Sequence, residues 1–367
     1  MARQSSIRLT AEAPKRPLGR TNALGLRVAA IGGGTGLSTL LRGLKRHVQP
    51  PPSAAPSSLG WEQFPCAITD LVGIVTVTDD GGSSGRLRRD MNTLPPGDLR
   101  NCMVALSEDE HLLSRLFQYR FDSGAGLEGH NFGNLFLVGL AEVTGDFALA
   151  VKMSSQILAT RGRLYPATTQ DVTLAAQMDD GSVVHGETNI TASKQRIQRL
   201  RMEPATAHAL PEALEAIERA DLITVGPGSL YTSLITNMLV TGISEARAAA
   251  RGLRVYICNL MTQANESLGL TASQHIERIY DHARAPIFDY ALVNTAPISP
   301  GLLQRYAAEG ATLIEPDTER IEALGVRCIP GNFVFEGDVL RHNYDRVTDA
   351  VLQVAVEHLS KHQRAVY

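Results

Sequence analysis

The sequence predicts an α/β fold in which helices cover both faces of a mostly parallel sheet. Two observations support this fold class. Beyond residue 210, strand-like and helix-like segments alternate regularly, which is typical of a parallel sheet. Several strand-like segments also run directly into glycine-rich loops that open a helix, and sheets of this kind bind their ligands at such strand ends.

The regular alternation begins with a helix from Pro211, a residue suited to the first helical turn. A buried strand follows at residues 222–225, then a Gly-Pro-Gly-Ser loop, then a helix over residues 230–240. Two further strands are predicted at residues 254–259 and 290–294.

The first half of the chain predicts further strands and helices. A β-branched run at residues 72–77 indicates a buried strand. The Asp-Gly pair at 180–181 predicts the turn of a hairpin that joins residues 172–178 to residues 183–184. The other predicted elements are a strand at 27–31 and helices at 37–44, at 99–106 with Asp98 as its N-cap, at 112–117 and at 134–143.

Two segments differ from this pattern. Residues 1–26 predict a flexible basic leader, and the proline-rich residues 48–64 predict an insert of low order. A solvated tail is the simplest interpretation of the leader, and docking to an acidic partner is the alternative. By length, the rest of the chain forms one large domain or two smaller ones.

The bulk composition excludes several classes of protein. A net charge of −3 gives no general attraction to nucleic acid or to anionic membranes. No apolar stretch is long enough to span a membrane, and the N-terminus lacks the apolar core of a secretory signal. The four cysteines are scattered and form no metal motif. We therefore expect a cytoplasmic protein that binds no nucleic acid and inserts into no membrane.

The first glycine-rich loop, residues 32–36, joins the strand at 27–31 to a helix. Gly33 and Gly34 let a phosphate approach the unpaired N–H groups of the helix start, and Thr35 adds a hydroxyl donor. The loop lacks the third glycine of the dinucleotide fingerprint and the lysine of a P-loop. A tight turn with nothing bound is the alternative.

A second loop, residues 79–86, ends the strand at 72–77 and offers both phosphate contacts and acids. Its candidate ligand-binding residues are Asp79, Asp80, Gly82, Ser83 and Arg86. The two aspartates are also candidates for holding Mg²⁺ or a sugar hydroxyl, and magnesium is the one cofactor that the sequence suggests. A surface Asp-Gly turn is the alternative.

The polar segment 129–134 forms the entry to an apolar helix. Asn131 and Asn134 are candidate ligand contacts, although either residue could instead cap the helix. His130 is a candidate acid or base, but a lone histidine is more often structural.

Two strand ends in the second half carry the remaining candidates. Gly228 and Ser229 belong to another strand–loop–helix unit, which we expect to form a second anion site. Asn259, Thr262 and Gln263 follow a further strand with amide and hydroxyl groups that can read a base or a sugar edge. Caps and turns are the alternative for each residue alone.

No pattern in the sequence joins a nucleophile to a base. There is no Gly-x-Ser-x-Gly elbow and no His-Glu-x-x-His zinc helix. We therefore assign no catalytic residue, and the local signals favour binding over covalent catalysis.

Read in order, these loops resemble the gluconeogenesis factor family (the YvcK-like proteins), which is related to 2-phospho-L-lactate transferase, CofD. The resemblance runs from about residue 27 to beyond residue 330. The matching segments are IGGGTGL at 31–37, VTVTDDGGSSGRLR at 75–88, PPGDLRN at 95–101, GHNFGN at 129–134, LYPA at 164–167, DVTL at 171–174, GPGSLYTS at 226–233 and NLMTQ at 259–263.

The resemblance implies a Rossmann-like three-layer αβα sandwich formed by a single domain over residues 27–360. It implies a nucleotide-linked ligand, with UDP-sugars such as UDP-N-acetylglucosamine typical of the gluconeogenesis factors. It also implies a role in cell shape and envelope precursor supply during gluconeogenic growth, through an envelope-synthesis protein as partner, and it leaves a homo-oligomer open. The residues that fall on the family's ligand-cleft loops are Gly33, Gly34, Thr35, Asp79, Asp80, Ser83, Gly228 and Ser229.

Two other functions stay open. The transferase branch moves a phospholactyl group from a guanosine diphosphate-activated donor to a deazaflavin, with magnesium, and a scaffold with a vestigial pocket is the third interpretation. The chain also departs from the family pattern, because residues 264–267 read Ala-Asn-Glu-Ser where Pro-Gly-Glu-Thr is expected. Leu270 stands where an aromatic residue often lies beside the base, so the nucleobase preference is open.

Overall fold

The computed structural model describes residues 24–49, 66–108, 112–263 and 266–364. Most of the predicted leader (1–26) and most of the predicted proline-rich insert (48–64) lie outside the described residues.

The fold is built on a seven-stranded parallel sheet. In spatial order its strands are β3 (Arg163–Pro166), β2 (Cys66–Val75), β1 (Leu24–Gly32), β7 (Leu222–Val225), β8 (Leu253–Ile257), β9 (Tyr290–Asn294) and β10 (Arg327–Gly331). The chain proceeds outward from β1 on one side and outward from β7 on the other, so the strand order reverses between them. The predicted α/β fold class, with a mostly parallel sheet, is confirmed.

Helices cover both faces of the sheet. On one face α1 (Gly34–Leu44) packs against α3 (Gly97–Leu106) and α14 (Tyr344–Arg364). A second group contains α8 (Pro211–Arg219), α9 (Thr236–Leu239), α10 (Ile243–Ala249) and α11 (Ala272–Ala283). The other helices are α2 (Gly82–Met91), α4 (Leu112–Gln118), α5 (Phe132–Thr144), α6 (Phe147–Ile157), α7 (Glu187–Ala192), α12 (Pro300–Ala308) and α13 (Thr318–Ala323). Among the described residues, no helix is long and apolar enough to cross a membrane.

The central strand β1 is buried on both sides. Val28, Ala29, Ala30 and Ile31 are at most 2% exposed, although their side chains alternate between the two faces of the sheet. A strand buried on both faces needs a continuous apolar run rather than an alternating one, which is the pattern that the sequence has here.

Two small antiparallel sheets supplement the main one. The predicted hairpin is present as β4 (Thr173–Met178) and β5 (Val183–His185), and β6 (Ile197–Glu203) pairs with the other side of β4. The strand β6 was not predicted. Near the C-terminus, β11 (Val334–Glu336) pairs with β12 (Leu340–His342).

The helix predicted at 230–240 consists of two segments in the structure. Leu230–Ile235 is π-helical, and the Leu234 N–H donates to the Ser229 carbonyl five residues earlier, at 3.0 Å. The α-helical α9 follows directly. The start of the π-helical segment is held by the carboxylate of Glu266 from another part of the chain, and such π turns are frequent at functional sites.

Candidate functional site

A cleft of about 380 Å³ opens at the carboxyl edge of the sheet, where the strand order reverses between β1 and β7. The loops that follow β1, β7 and β8 form its walls, together with residues of α12 and β12. This is the place where open α/β sheets bind their ligands. The predicted ligand-binding residues that line it are Thr35, Gly228, Ser229, Asn259, Thr262 and Gln263.

The two glycine loops meet backbone to backbone in the floor of this cleft. A Cβ on Gly36 would lie 2.2 Å from the Pro227 carbonyl oxygen and 2.9 Å from the Gly228 Cα, so only glycine permits the contact. The first N–H groups of α1 have no acceptor within the helix and carry partial positive charge. This end of α1 can therefore bind a phosphate group in the cleft.

The amide side chains predicted to hydrogen-bond a ligand instead bind residues of the glycine loop at 226–229. Asn259 Nδ2 donates to the Gly228 carbonyl (2.6 Å), and the Gly228 N–H donates to Asn259 Oδ1 (3.1 Å). Gln263 Nε2 donates to the Ser229 hydroxyl (2.8 Å). Asn259 therefore fixes the backbone of the 226–229 loop, and Gln263 orients the Ser229 side chain.

A carboxylate of the protein itself lies at the start of the π-helical segment that follows the 226–229 loop. Glu266 is 6% exposed, and it accepts from the Tyr231 N–H (3.2 Å) and the Thr232 hydroxyl (3.0 Å). Burial raises the pKa of Glu266, while these hydrogen bonds oppose the rise. An internal carboxylate therefore accepts hydrogen bonds at this helix start, and a second anion site at Gly228 and Ser229 stays a prediction.

Several side chains of the cleft were missed, among them Arg341, Tyr306 and His342. Arg341 is an exposed cation of β12 at the rim, and the Tyr306 hydroxyl accepts from the Leu340 N–H (3.0 Å). His342 Nε2 donates to the Cys258 carbonyl (3.0 Å), and burial lowers the pKa of His342 to about 4. None of the three follows a glycine loop, so no sequence pattern pointed to them.

Some candidates of the 79–86 and 129–134 loops form a buried polar cluster outside the cleft lining. Ser83 Oγ accepts from the Asn131 N–H and from Asn134 Nδ2, both at 3.2 Å, and lies 3.2 Å from His130 Nδ1. Asn131 also caps α5 by accepting from the Asn134 N–H (3.3 Å). Burial lowers the pKa of His130. The cluster joins α2 to α5, which favours the capping interpretation of these asparagines.

The other candidate residues of the 79–86 loop also contact the rest of the protein. Asp80 Oδ1 accepts from the N–H of Thr188 in α7 (2.8 Å), and Arg86 donates to the Glu128 carbonyl (2.7 Å). Gly82 is exposed, and nothing lies within 4 Å of the place where its Cβ would be. These residues therefore lie around the 79–86 loop and do not line the cleft.

The two aspartates do not form a metal site by themselves. Asp79 Oδ1 accepts from the Gly81 N–H (3.0 Å), and Asp80 is engaged with α7. Within the parts of the chain that the structure describes, no three acidic, histidine or cysteine side chains are arranged to hold a metal ion. A magnesium ion would need the phosphate oxygens of a ligand as its main partners.

A carboxyl group lies beside the first glycine loop. The helix α3 begins at Gly97 and Asp98 lies within its first turn, so the prediction of Asp98 as N-cap is wrong. Instead, Asp98 accepts from the Gly34 N–H, and a Cβ on Gly33 would lie 2.9 Å from Asp98 Oδ2. Burial and the neighbouring Asp79 raise the pKa of Asp98 to about 7.

Glu187 adds a second buried carboxyl to this region. Its Oε2 accepts from the Thr78 hydroxyl (3.0 Å). Burial, with Asp98 and Asp79, raises the pKa of Glu187 well above its ordinary value. Two carboxyl groups with raised pKa values therefore lie near the loops that are predicted to bind phosphate.

We expect Asp98→Asn to stabilise the protein at neutral pH. The folded state retains a proton on Asp98 up to about pH 7, whereas the unfolded chain releases it near 3.8, so the wild type loses stability as pH rises across this window. Asparagine does not titrate. Allowing for the partial exposure of Asp98, the gain should be roughly 1–2 kcal/mol at pH 8 and should vanish near pH 3.5.

Urea unfolding of both proteins between pH 3.5 and 8.5 measures this gain. The control is Asp122→Asn, at an exposed carboxylate that accepts from Ser123 (3.3 Å), whose difference from wild type should not widen over this range. If the difference in unfolding free energy between Asp98→Asn and wild type shrinks as pH rises, the pKa of Asp98 is not raised in the folded protein.

Comparison with known proteins gives three related findings. The family model for 2-phospho-L-lactate transferase CofD matches residues 28–334. The gluconeogenesis factor of Halalkalibacterium halodurans is 47% identical over 327 residues, which cover 89% of this chain and 95% of that protein. The gluconeogenesis factor of Bacillus subtilis is 42% identical over 332 residues, covering 90% and 98%.

A solved structure is also similar. The crystal structure of a UPF0052 family member from Bacillus halodurans matches with a TM-score of 0.82 at 46% identity, over 90% of this chain and 99% of that one. The similarity therefore extends over most of the chain.

Proposed function

Since the chain belongs to the CofD family and is 42–47% identical to two gluconeogenesis factors, we propose that it is a cytoplasmic regulator that binds a nucleotide sugar of the UDP-N-acetylglucosamine type. It would act on cell shape and envelope synthesis during gluconeogenic growth, through a protein partner. Self-association into a homo-oligomer stays a prediction.

The observation that carries this proposal is the cleft at the reversal of strand order. Its floor combines the start of α1 with two glycine loops in backbone contact, an arrangement suited to a diphosphate. Arg341 adds the positive charge that a diphosphate needs. A volume of about 380 Å³ lies within the range of small-molecule sites.

The contacts of the cleft support binding more than covalent catalysis. His342 is the imidazole that lines the described cleft, and it is neutral and bonded to the Cys258 carbonyl. The Ser229 hydroxyl is bonded to Gln263 rather than to a base. A nucleophile would need a base within hydrogen-bond reach.

Calorimetric titration with UDP-N-acetylglucosamine tests the proposal, with guanosine diphosphate and magnesium as the comparison. We expect saturable binding of the UDP-sugar, at least tenfold tighter than that of the guanosine nucleotide. Tighter binding of the guanosine nucleotide would contradict the proposal.

In the same titration, Arg341→Ala should weaken binding at least tenfold, because one charge-assisted contact to phosphate contributes roughly 1.5–3 kcal/mol. Arg346→Ala is the matched control, since Arg346 is an exposed arginine of α14 that does not line the cleft. If the Arg341 variant binds as tightly as wild type, Arg341 does not contact the ligand.

A transferase activity is the second candidate function. The match of residues 28–334 to the family model for 2-phospho-L-lactate transferase CofD favours it. Incubation with a deazaflavin, a guanosine diphosphate-activated phospholactate and magnesium would decide between the two. Conversion of the deazaflavin would show that the protein is an enzyme and would overturn the proposal of a regulator.

A further inference from the structure

The helix α5 carries apolar side chains on its outer side as well as on its buried side. It buries Leu137 and Val138 against the core, whereas Leu135 is half-buried and Val143 is 84% exposed. Glu142 is the one charged residue of the helix. A helix that is apolar all round is normally covered on every side. Within the part of the chain that the structure describes, Val143 has no such cover.

Exposed apolar side chains are concentrated around this helix. Of the fourteen large apolar side chains that are exposed among the described residues, eight lie within residues 112–157. These are Leu112, Leu116, Tyr119, Leu127, Val143, Leu149, Met153 and Ile157. They belong to α4, α5, α6 and the segment 119–127, and both α4 and α6 pack against α5. We call the outer side of α4, α5 and α6 the apolar face.

The apolar surface in this region is large enough for a specific interface. The exposed fractions of the eight side chains add up to about four fully exposed residues. At roughly 160 Å² for each residue, this amounts to about 650 Å² of surface. A standard stable interface buries about 800 Å² on each partner, of which about 450 Å² is apolar. Roughly two thirds of the exposed apolar surface would therefore supply an interface.

The charges around the apolar face are balanced. Exposed charged side chains within residues 112–157 comprise three cations and four anions. Nucleic acid and anionic membranes attract surfaces with an excess of cations, which this region lacks. Charges of both signs instead favour a protein surface that also carries both signs.

An exposed cation and an exposed anion lie at opposite ends of α5. The Tyr119 carbonyl accepts from the Phe132 N–H (2.8 Å), and the rings of Phe117 and Phe132 are 6.3 Å apart, so the end of α4 lies beside the first turn of α5. Arg115 is exposed on this end of α4, whereas Glu142 is exposed in the last turn of α5. The dipole of its own helix disfavours a carboxylate at that end.

This arrangement makes the apolar face complementary to itself. A two-fold axis through the middle of α5 places the helix antiparallel to α5 of a second copy. Arg115 then lies near Glu142 of the second copy, at the negative end of that helix, and Leu116 lies near Val143 of the second copy. Each contact occurs twice. A parallel arrangement would instead bring like charges together.

We propose that the apolar face joins two copies of this chain in a symmetric dimer, in which α5 is antiparallel to α5 of the second copy. The dimer gives the predicted homo-oligomer a definite interface. It goes beyond the nucleotide-sugar function and does not depend on it, because no residue of 112–157 lines the ligand cleft.

Sedimentation equilibrium of the full chain between 1 and 100 µM, without ligand, tests the proposal. We expect a dimer with a dissociation constant of about 10 µM or less, which is within the range of interfaces of standard size. Val143→Glu should weaken dimerisation at least tenfold, because the two-fold axis places two carboxylates in the apolar contact. The matched control is Val183→Glu at an exposed valine of β5, which should change the dissociation constant less than threefold. Thermal unfolding establishes that each variant is folded.

Charge reversal tests the antiparallel arrangement. Arg115→Glu should weaken dimerisation at least fivefold, since it places a carboxylate near Glu142 of the second copy. The double variant Arg115→Glu/Glu142→Arg restores opposite charges across the axis and should return the dissociation constant to within threefold of wild type. Such a rescue within one chain requires that the partner is a second copy of that chain.

Three results would each overturn the proposal. The first is a wild-type protein that is monomeric at 100 µM, which would leave the apolar face to a different partner. The second is a Val143→Glu variant that dimerises as tightly as Val183→Glu, and the third is a charge-reversed double variant that dimerises no more tightly than Arg115→Glu. Titration of Val143→Glu with UDP-N-acetylglucosamine reports on the proposed function separately, and its affinity should equal that of wild type.

Discussion

Replacing Gly36 with alanine should separate the two glycine loops, weaken nucleotide-sugar binding at least tenfold and destabilise the protein. The added Cβ would lie 2.2 Å from the Pro227 carbonyl oxygen and 2.6 Å from its carbon. Both are backbone atoms, so no side-chain rotation relieves the contact and the loops must move apart by about 1 Å. Overpacking of this kind costs about 1–3 kcal/mol.

A matched glycine distinguishes steric contact from a general effect of the substitution. Gly139 lies inside α5, and nothing lies within 4 Å of the place where its Cβ would be. Gly139→Ala should therefore stabilise the protein by about 0.5–1 kcal/mol through the higher helix propensity of alanine, with unchanged affinity. Urea unfolding and calorimetry measure both variants. If Gly36→Ala binds as tightly as wild type, the floor of the cleft is not the ligand site.

Replacing Glu266 with alanine should have the second large effect. The carboxylate accepts from the Tyr231 N–H and the Thr232 hydroxyl in the buried start of the π-helical segment. Its loss leaves these donors unpaired and a cavity behind them, which we expect to cost about 3–4 kcal/mol. Glu277→Ala, at an exposed glutamate of α11, is the control and should change stability by less than about 0.5 kcal/mol.

A small carboxylate should partly restore the Glu266→Ala variant. The vacated helix start has unpaired N–H groups and room for an anion. Added acetate should therefore raise the melting temperature of this variant by several degrees more than that of wild type at the same ionic strength. An equal response of both proteins would show that Glu266 does not act as the internal anion of this loop.

The main sheet could be predicted because its strands carry their own signal. The predicted bounds of β7 and β9 agree with the structure at both ends, since each is a short buried run of mostly apolar residues between polar or glycine-containing loops. The first strand was predicted as residues 27–31 and extends over Leu24–Gly32. By contrast, β6 alternates buried apolar residues with arginines that an edge exposes to solvent, and its short, charged pattern gave no clear strand signal.

The candidate site was predicted in part, for a physical reason. Thr35 and Gly228 follow strands directly, so the sheet places them at its carboxyl edge whatever the remaining chain does. The positions of Glu266 and Arg341 depend on tertiary packing between segments far apart in sequence. Residues 264–267 differ from the family pattern, but Glu266 stands at the position where that pattern has glutamate. Sequence spacing could not show that its carboxylate binds the start of the π-helical segment.

The backbone contact between Gly36 and Pro227 also bears on how ligand preference can diverge among related proteins. The floor of the cleft is tied to β1 and β7, which pair from Val28 and Leu222 to Ile31 and Val225, so substitutions there disturb the central sheet. The opposite wall comes from the 259–263 loop, α12 and β12, which lie outside the β1–β7 pair. Under the proposed function, substitutions in these later segments would change the preferred nucleobase or sugar without disturbing the phosphate-binding floor.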